Sequence, residues 1–377
     1  MKKISILSLT LASISLFGLT SCKGNGESAT SGSDSTAVNM PELKGDDQLN
    51  KALRFYAGIS KEGINLNAAD AKAWDQYSAN IKRLVETTSK TRQQMDSIAT
   101  ADFKDFRDST DYVFYPFSAA DFIYANTLFP DADTYFLCGL EKAGTPISGD
   151  LKTSYAHYEA YRQALDIFFR KTYFVTKNMK EELDNEELDG VCPVITMLMA
   201  VGGVEVISVE QCNFDAEGNI VAADPSKADV LRIKFFKPGS KHEQTLLYVS
   251  GDIADGRSNP NLKKYLDRTL PQHRVSCFLK AASFLMTQDN FTDIRNYILD
   301  YSQAIVQDDS GVPFRYLKEK FNTTLYGAYV RPLPVFSDKC MQPDLEQEYK
   351  DRASEVHRLP FSIGYSTPSS WVVARRK

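Results

Sequence analysis

The sequence contains few of the residues that build metal sites and disulfide frameworks. Its four histidines form no H-x-x-H or H-E-x-x-H pattern, and its six cysteines form no C-x-x-C pair. A histidine-rich zinc site is therefore not expected. The five cysteines after residue 100 are odd in number and lie mostly in apolar segments, which favours buried free thiols over disulfides.

Long basic runs and glycine-rich phosphate loops are also missing. The formal net charge is −5, so the chain has no electrostatic basis for binding nucleic acid. The absence of a G-x-G-x-x-G motif leaves a dinucleotide site without support, and no other motif identifies a cofactor.

The apolar run near the N-terminus is too short to span a bilayer. Residues 4–19 follow Lys2 and Lys3, are diluted by serine and threonine, and fall short of the roughly 20 apolar residues that a membrane helix needs. This pattern is typical of an export signal.

The end of that run contains the most specific motif in the chain. Leu19-Thr20-Ser21-Cys22 resembles the lipobox of bacterial lipoproteins, in which the cysteine receives lipid chains and becomes the new N-terminus. The alternative is an ordinary secretory signal with a chance cysteine near its end. Because acyl chains contribute about 0.8 kcal/mol per buried CH₂, several chains on Cys22 would anchor the protein without a membrane helix.

A polar tether follows the cysteine. Residues 23–36, KGNGESATSGSDST, contain too few apolar groups to offset the entropy of ordering. No aspartate follows Cys22, which favours the outer over the inner membrane. Whether the protein faces the periplasm or the cell surface stays open, and so does the identity of any protein or small-molecule partner.

The chain divides into four predicted segments. These are a lipoprotein signal peptide at 1–21, the lipidated cysteine and tether at 22–48, an N-terminal helical region at 49–110, and an α/β domain at 111–377. The helical region is indicated by Trp74, Tyr77, Ile81 and Leu84, which recur at a spacing of three to four residues.

The patterns in the last segment predict an α/β fold with a mixed parallel and antiparallel sheet flanked by helices. Residues 112–117, 119–128 and 134–140 predict a strand-helix-strand unit, and 204–210, 230–236 and 244–250 predict antiparallel strands. Further helices are expected at 150–172, 191–201, 260–270, 273–286 and 291–306. Late strands are expected at 325–330 and 371–374.

Polar residues follow the first two predicted strands. Ser118 and Asp121 come after one strand and Glu141 after the next, where parallel strands place ligands and catalytic groups. One interpretation is structural, with Ser118 capping a helix that starts near Ala119 and Asp121 interacting with its dipole. The other is a site in which the carboxylates act as acid and base or hold a hard cation.

A second acidic constellation lies at residues 306–316. Gln307, Asp308 and Asp309 are predicted to end a helix, where anions are disfavoured, so Arg315 or Lys280 is expected to compensate the charge. The alternative is a solvated acidic turn. If the two loops form a site, removing the charge of Asp121 or Asp308 should leave the melting temperature unchanged or raise it.

Several stretches together resemble a family of uncharacterised bacterial lipoproteins. They are YPFSAADFIYANTLFPDADTYFLCGLE, FLKAASFLM, IVQDDSGVPFRY, LYGAYVRP and the closing RLPFSIGYSTPSSWVVARRK. The family pattern is near Y-P-F-S-G-P-D-F, and this chain has Ala119 and Ala120 in place of Gly-Pro. The resemblance implies that the Ser118–Asp121 loop and the 307–315 loop form one site, and it implies no activity.

Two functions therefore remain open. The first is a lipid-anchored binding or structural protein of the cell envelope. The second is a hydrolase-like or metal-assisted enzyme with an acidic site at the strand-end loops. Convergence of the two loops on one concave pocket would favour a small-ligand or enzymatic role.

We predict that Cys22→Ser moves the protein from the membrane fraction to the soluble envelope fraction, because the variant has no lipid acceptor. Fractionation and immunoblotting of parent and variant measure this. A variant that stays with membranes after a salt wash would contradict the lipid anchor.

Overall fold

The computed structural model describes residues 42–149, 151–171, 188–336 and 338–377. The predicted signal peptide, Cys22 and most of the predicted tether lie outside these residues. Residues 42–377 form one unit, so the helices before residue 111 belong to the same body as the sheet.

The described chain contains ten α-helices and ten strands. The helices are α1 (Asp47–Tyr56), α2 (Ala68–Asp102), α3 (Lys104–Arg107), α4 (Phe122–Leu128), α5 (Tyr155–Lys171), α6 (Cys192–Val201), α7 (Pro260–Thr269), α8 (Thr292–Tyr301), α9 (Phe314–Lys320) and α10 (Pro343–Asp351). The strands are β1 (Tyr112–Tyr115), β2 (Thr134–Gly139), β3 (Glu205–Phe214), β4 (Ile220–Ala222), β5 (Val230–Phe236), β6 (Gln244–Ser250), β7 (Val275–Leu279), β8 (Ser302–Gln307), β9 (Phe321–Gly327) and β10 (Ser370–Arg376).

The strands form one sheet in the order β4-β3-β5-β6-β2-β1-β7-β8-β10-β9. The five central strands, from β6 to β8, are parallel to one another, and the strands on both flanks pair antiparallel. This confirms the predicted mixed sheet flanked by helices, and it confirms the strand-helix-strand unit at its centre.

Alternate residues of each central strand bury against different helical layers. In β1, Val113 and Tyr115 join the core beneath α2, α4 and α6, whereas Tyr112 and Phe114 join the core beneath α7 and α8. Because successive side chains of a strand point to opposite faces, both faces of the sheet are covered.

The long helix α2 packs on this body through one apolar stripe. Trp74, Tyr77, Ile81 and Leu84 are buried, and α2 contacts α4 and α5. Its first turn is capped by Asn67, whose side chain accepts a hydrogen bond from the Asp70 N–H at 2.9 Å. Among the described residues, no helix combines the length and apolarity that crossing a bilayer requires.

Two of the predicted helices are wrong in part. Residues 273–286 contain strand β7 and a loop, and residues 291–306 contain helix α8 followed by strand β8. Strand β7, VSCFL, is buried at all five positions because helices cover both faces of the sheet. Such a strand has no alternating polar residues, so its pattern is easily mistaken for that of a buried helix.

The prediction of buried free thiols is confirmed in the described chain. Five cysteines are buried and form no disulfide: Cys138, Cys192, Cys212, Cys277 and Cys340. Burial raises the pKa of the Cys192 thiol to about 12. These thiols therefore contribute to packing as small apolar groups.

Candidate functional site

A cavity of about 130 Å³ lies at the carboxyl ends of four neighbouring parallel strands, β6, β2, β1 and β7. The chain after β1 enters α4 on one face of the sheet, and the chain after β7 leads to α8 on the other face. Adjacent strands whose connections leave in opposite directions open a crevice between them, and open α/β sheets place their ligands there.

A buried ion pair forms the wall of this cavity. The Lys280 Nζ lies 2.6 Å from the Asp121 Oδ2, and the two side chains are 2% and 1% exposed. The Tyr115 hydroxyl donates to the same Oδ2 at 2.8 Å. The Lys280 ammonium also lies 4.1 Å from the centre of the Tyr124 ring, a cation–π contact.

The second carboxylate oxygen of Asp121, Oδ1, differs from Oδ2 in its hydrogen bonding. Oδ1 is buried and has no donor in ideal hydrogen-bond geometry among the described residues, although the Tyr124 N–H lies close enough to the carboxylate to lower its pKa. Burial raises the pKa of Asp121 above its usual range, and the nearby Lys280 ammonium opposes that rise. A buried carboxylate oxygen without a donor is uncommon in folded proteins and calls for an explanation.

Ser118 lies beside Asp121 but does not cap a helix. Helix α4 begins at Phe122, and the residue before it, Asp121, makes no side-chain cap. The Ser118 hydroxyl instead accepts a hydrogen bond from the Cys138 N–H of β2 at 3.0 Å. The interpretation of Ser118 as a helix cap is therefore wrong, and Ser118 ties the loop after β1 to β2.

Glu141 follows β2 and lines the same cavity with only 2% exposure. The Tyr248 hydroxyl donates to the Glu141 carbonyl at 2.7 Å and lies 3.4 Å from its carboxylate. Gly139 permits this approach, since a Cβ there would lie 2.2 Å from Glu141 Oε2. The structure thus brings Asp121 and Glu141 together.

The Asp308–Asp309 loop lies behind the cavity wall and does not line the cavity. Asp308 is fully buried and accepts a hydrogen bond from the Ala281 N–H at 2.7 Å. The Ser310 hydroxyl accepts one from the Ala282 N–H at 2.7 Å. The loop therefore fixes the segment that begins at Lys280, and the interpretation of it as a solvated turn is wrong.

Gln307 and Asp309 belong to the same loop and stabilise its conformation. The Gln307 amide donates to the Val312 carbonyl at 2.8 Å and accepts from its N–H at 2.9 Å, which closes the loop. Asp309 is 7% exposed, and its backbone carbonyl accepts a hydrogen bond from Gln342. Burial, together with the like charge of Asp308, raises the pKa of Asp309 to about 8.

Of the two predicted cationic partners, Lys280 approaches the acids and Arg315 does not. Asp308 is close enough to Lys280 for that ammonium to oppose the rise in its pKa that burial causes. Arg315 is exposed, and its guanidinium lies 4.8 Å from the centre of the Tyr316 ring. The expectation that Arg315 compensates the acidic loop is therefore wrong.

Backbone strain is concentrated at this site. Four non-glycine residues in the described chain have positive φ, and all lie in the loops after β1 and β7: Ala119 (45°), Ala281 (53°), Ser283 (53°) and Phe284 (53°). Such conformations cost of order 1–3 kcal/mol each and persist only where neighbouring contacts enforce them. Glycine adopts such a φ freely, whereas alanine is strained there.

Several residues that build the site were not among those predicted from the sequence. Tyr115 bonds Asp121, and the Tyr365 hydroxyl donates to the Ala281 carbonyl at 2.7 Å. Gly364 has φ +74°, and a Cβ there would lie 2.0 Å from Asp308 Oδ2. No local pattern in the sequence marked Tyr365 or Gly364 as part of the site.

Within the described ranges, no group of three or more histidine, cysteine, aspartate or glutamate side chains is arranged to hold a metal ion. The cation beside Asp121 is the Lys280 ammonium. No family model, curated protein or solved structure matches this chain. The resemblance to a lipoprotein family therefore stays a prediction.

The buried ion pair predicts large effects of single substitutions, contrary to the expectation from sequence. Asp121→Asn removes the carboxylate charge that lies 2.6 Å from the buried Lys280 ammonium and should lower the free energy of unfolding by about 3–5 kcal/mol. The double variant Asp121→Asn/Lys280→Met should lose less than the sum of the single losses, by about 0.5–3 kcal/mol. Urea denaturation of the four proteins measures both.

A matched control is the exposed pair of Lys320 and Asp300, whose side chains are 45% and 51% exposed. Asp300→Asn should cost no more than about 1 kcal/mol. An Asp121→Asn variant as stable as the parent would show that the ion pair does not support the fold.

The raised pKa of Asp309 predicts a specific pH dependence of the free energy of unfolding. Because its pKa is about 8 in the folded protein and about 3.9 when unfolded, the folded state binds more protons between these values. Its contribution to stability is complete below about pH 4 and is lost as the pH rises through about 8. Asp309→Asn should therefore be more stable than the parent at pH 9, with a difference that shrinks towards pH 4.

Denaturation curves between pH 4 and pH 9 test this, with the exposed Asp338→Asn as the control. A difference between parent and Asp309→Asn that is independent of pH would contradict the buried, protonated state of Asp309.

Proposed function

We propose that this protein is a lipid-anchored lipoprotein of the outer membrane that binds a small ligand in the cavity at the carboxyl ends of β6, β2, β1 and β7. The observation that supports binding most directly is the cavity itself, which is lined by the buried carboxylates of Asp121 and Glu141 beside the apolar Phe117 and Phe291. The lipobox at Cys22 supports the anchor.

The composition of the cavity fits a small amphipathic molecule. Phe117 and Phe291, with ring centres 6.0 Å apart, lie on its lining together with Ile253, and the carboxylates of Asp121 and Glu141 supply polar contacts. A few polar groups in an otherwise apolar pocket are typical of ligand sites. A volume of about 130 Å³ is similar to the cavity of about 150 Å³ that holds benzene.

An enzyme that uses Asp121 and Glu141 as acid and base is a second candidate. Two observations favour it: the pKa of Asp121 is raised by burial, and the strained residues cluster around the same cavity. Both features are frequent at catalytic sites. A metal-assisted mechanism has no support from the carboxylate arrangement in the described ranges.

A cavity-filling variant tests the binding proposal. Gly251 lines the cavity, and a Cβ added there meets no atom within 4 Å, so Gly251→Leu can occupy the space without forcing the backbone. Small molecules released from the natively purified, full-length protein are identified by mass spectrometry. We expect at least one compound at a stoichiometric level in the parent and its loss in Gly251→Leu.

Lys241→Leu is the matched control, because Lys241 is exposed and precedes the amino end of β6, opposite the cavity. It should retain the compound at the level of the parent. A compound that remains on Gly251→Leu at full level, or a parent that carries none, would contradict ligand binding in this cavity.

A further inference from the structure

We propose that a second site on this protein binds the phosphate monoester of a small organic molecule. The site is an open groove of about 640 Å³ beside β9, the strand at one edge of the sheet. Its walls are the chain that follows β9, helix α10 and residues 353–358, and we call it the β9 groove. It shares no lining residue with the cavity at the carboxyl ends of the central strands. Its volume lies in the range of small-molecule clefts.

Hydrogen bonds attach both walls of the β9 groove to the edge of the sheet. The Gly327 N–H donates to the His357 carbonyl at 2.9 Å, and the His357 N–H donates to the Leu325 carbonyl at 2.8 Å. On the other wall, the Tyr349 hydroxyl of α10 donates to the Tyr326 carbonyl at 2.8 Å. The folded chain therefore forms the groove before a ligand binds, which reduces the conformational entropy lost on binding.

Cations outnumber carboxylates on the lining of the β9 groove. Arg331, Lys350 and Arg358 line it, and Glu346 is the one carboxylate among the described lining residues. The Lys350 Nζ lies 2.8 Å from the Glu346 carboxylate, whereas the Arg331 guanidinium lies 3.9 Å from it. Arg358 is exposed and has no carboxylate partner among the described residues. The lining therefore carries an excess of positive charge.

This excess is local to the β9 groove. The whole chain has 44 lysines and arginines against 49 aspartates and glutamates, so its formal net charge has the opposite sign. Arg352, which lies outside the groove lining, shows the contrast, because its guanidinium is 2.8 Å from Glu355 and 3.1 Å from Glu348. The groove cations have fewer carboxylate neighbours, and their potential attracts an anion to this part of an acidic protein.

The side chains of the β9 groove favour a phosphate monoester among anions. A guanidinium presents two parallel N–H donors that match two phosphate oxygens, and a lysine adds a point charge. Since the second pKa of a phosphate monoester is about 6, it carries nearly two negative charges at pH 8, which match the excess charge of the lining. Tyr329, Tyr349 and Val356 lie on the same lining and provide apolar surface for the organic part of the ligand.

Three probes of similar size separate the possible ligand charges: phenyl phosphate, phenyl sulfate and phenol. Calorimetric titration into the full-length protein in detergent at pH 8 gives their dissociation constants. We expect phenyl phosphate to bind at least about tenfold more tightly than phenol and at least about threefold more tightly than phenyl sulfate, because the three carry two, one and no negative charges. High salt should weaken phenyl phosphate binding, since it screens exposed charges.

Three variants assign the binding to the β9 groove. Arg331→Gln and Arg358→Gln should each weaken phenyl phosphate at least about fivefold, because each removes a cation from the lining. Glu346→Gln should strengthen it at least about threefold, because Lys350 and Arg331 then lose a competing carboxylate. Loss of folding cannot produce tighter binding. Lys241→Gln, which removes an exposed cation that precedes the amino end of β6, is the control and should leave the affinity unchanged.

Phenol that binds as tightly as phenyl phosphate, or phenyl phosphate affinity that is unchanged in both Arg331→Gln and Arg358→Gln, would overturn the proposal. Dihexanoyl phosphatidic acid carries the same headgroup on short acyl chains. If it binds at least about tenfold more tightly than phenyl phosphate and Arg358→Gln weakens it, the groove takes a lipid headgroup, which would overturn the assignment to a small organic phosphate.

Gly251→Leu separates this proposal from the proposed binding function, because it fills the cavity at the central strands and leaves the β9 groove intact. Phenyl phosphate should bind this variant with the affinity of the parent. Loss of phenyl phosphate binding in Gly251→Leu would place the probe in the other cavity and overturn the assignment to the β9 groove.

Discussion

The ion pair between Asp121 and Lys280 is the contact on which the rest of the site depends. Two charges removed from water are tolerated only when they lie close together with good geometry, and here 2.6 Å separates them. Asp121 follows β1 and Lys280 follows β7, and these strands are neighbours in the sheet. The pair therefore joins the loop after β1 to the loop after β7. The helices that follow these loops, α4 and α8, lie on opposite faces of the sheet.

Side chains from later in the chain form hydrogen bonds with the backbone of the segment after Lys280. Asp308 and Ser310 accept hydrogen bonds from its N–H groups, and Tyr365 donates to the Ala281 carbonyl. These contacts explain how residues with positive φ persist there, because each one fixes a backbone group that would otherwise relax. The acidic loop thus acts on the cavity through the backbone that it positions.

The sequence predicted most of the fold but only part of the site. Alternation of apolar and polar residues, together with turn residues, was sufficient to predict the antiparallel strands. The three-to-four-residue spacing of apolar side chains was sufficient to predict α2, and a continuous apolar run was sufficient to predict α6. Strands β7 and β8 were missed because burial on both faces removes the alternation that identifies a strand. Ser118, Asp121, Glu141 and Lys280 were named as candidates and lie on one cavity lining, yet their pairing depends on which strands are neighbours. No local pattern contains that information, and Arg315 was therefore a wrong partner.

The most direct test of this account is a crystal structure of the natively purified protein at a resolution that reveals ordered water. We expect a bound molecule in the cavity with a donor atom within hydrogen-bond distance of Asp121 Oδ1, while Lys280 remains paired to Oδ2. A cavity filled by protein side chains, or an Asp121 whose two oxygens are both satisfied by protein groups, would contradict it.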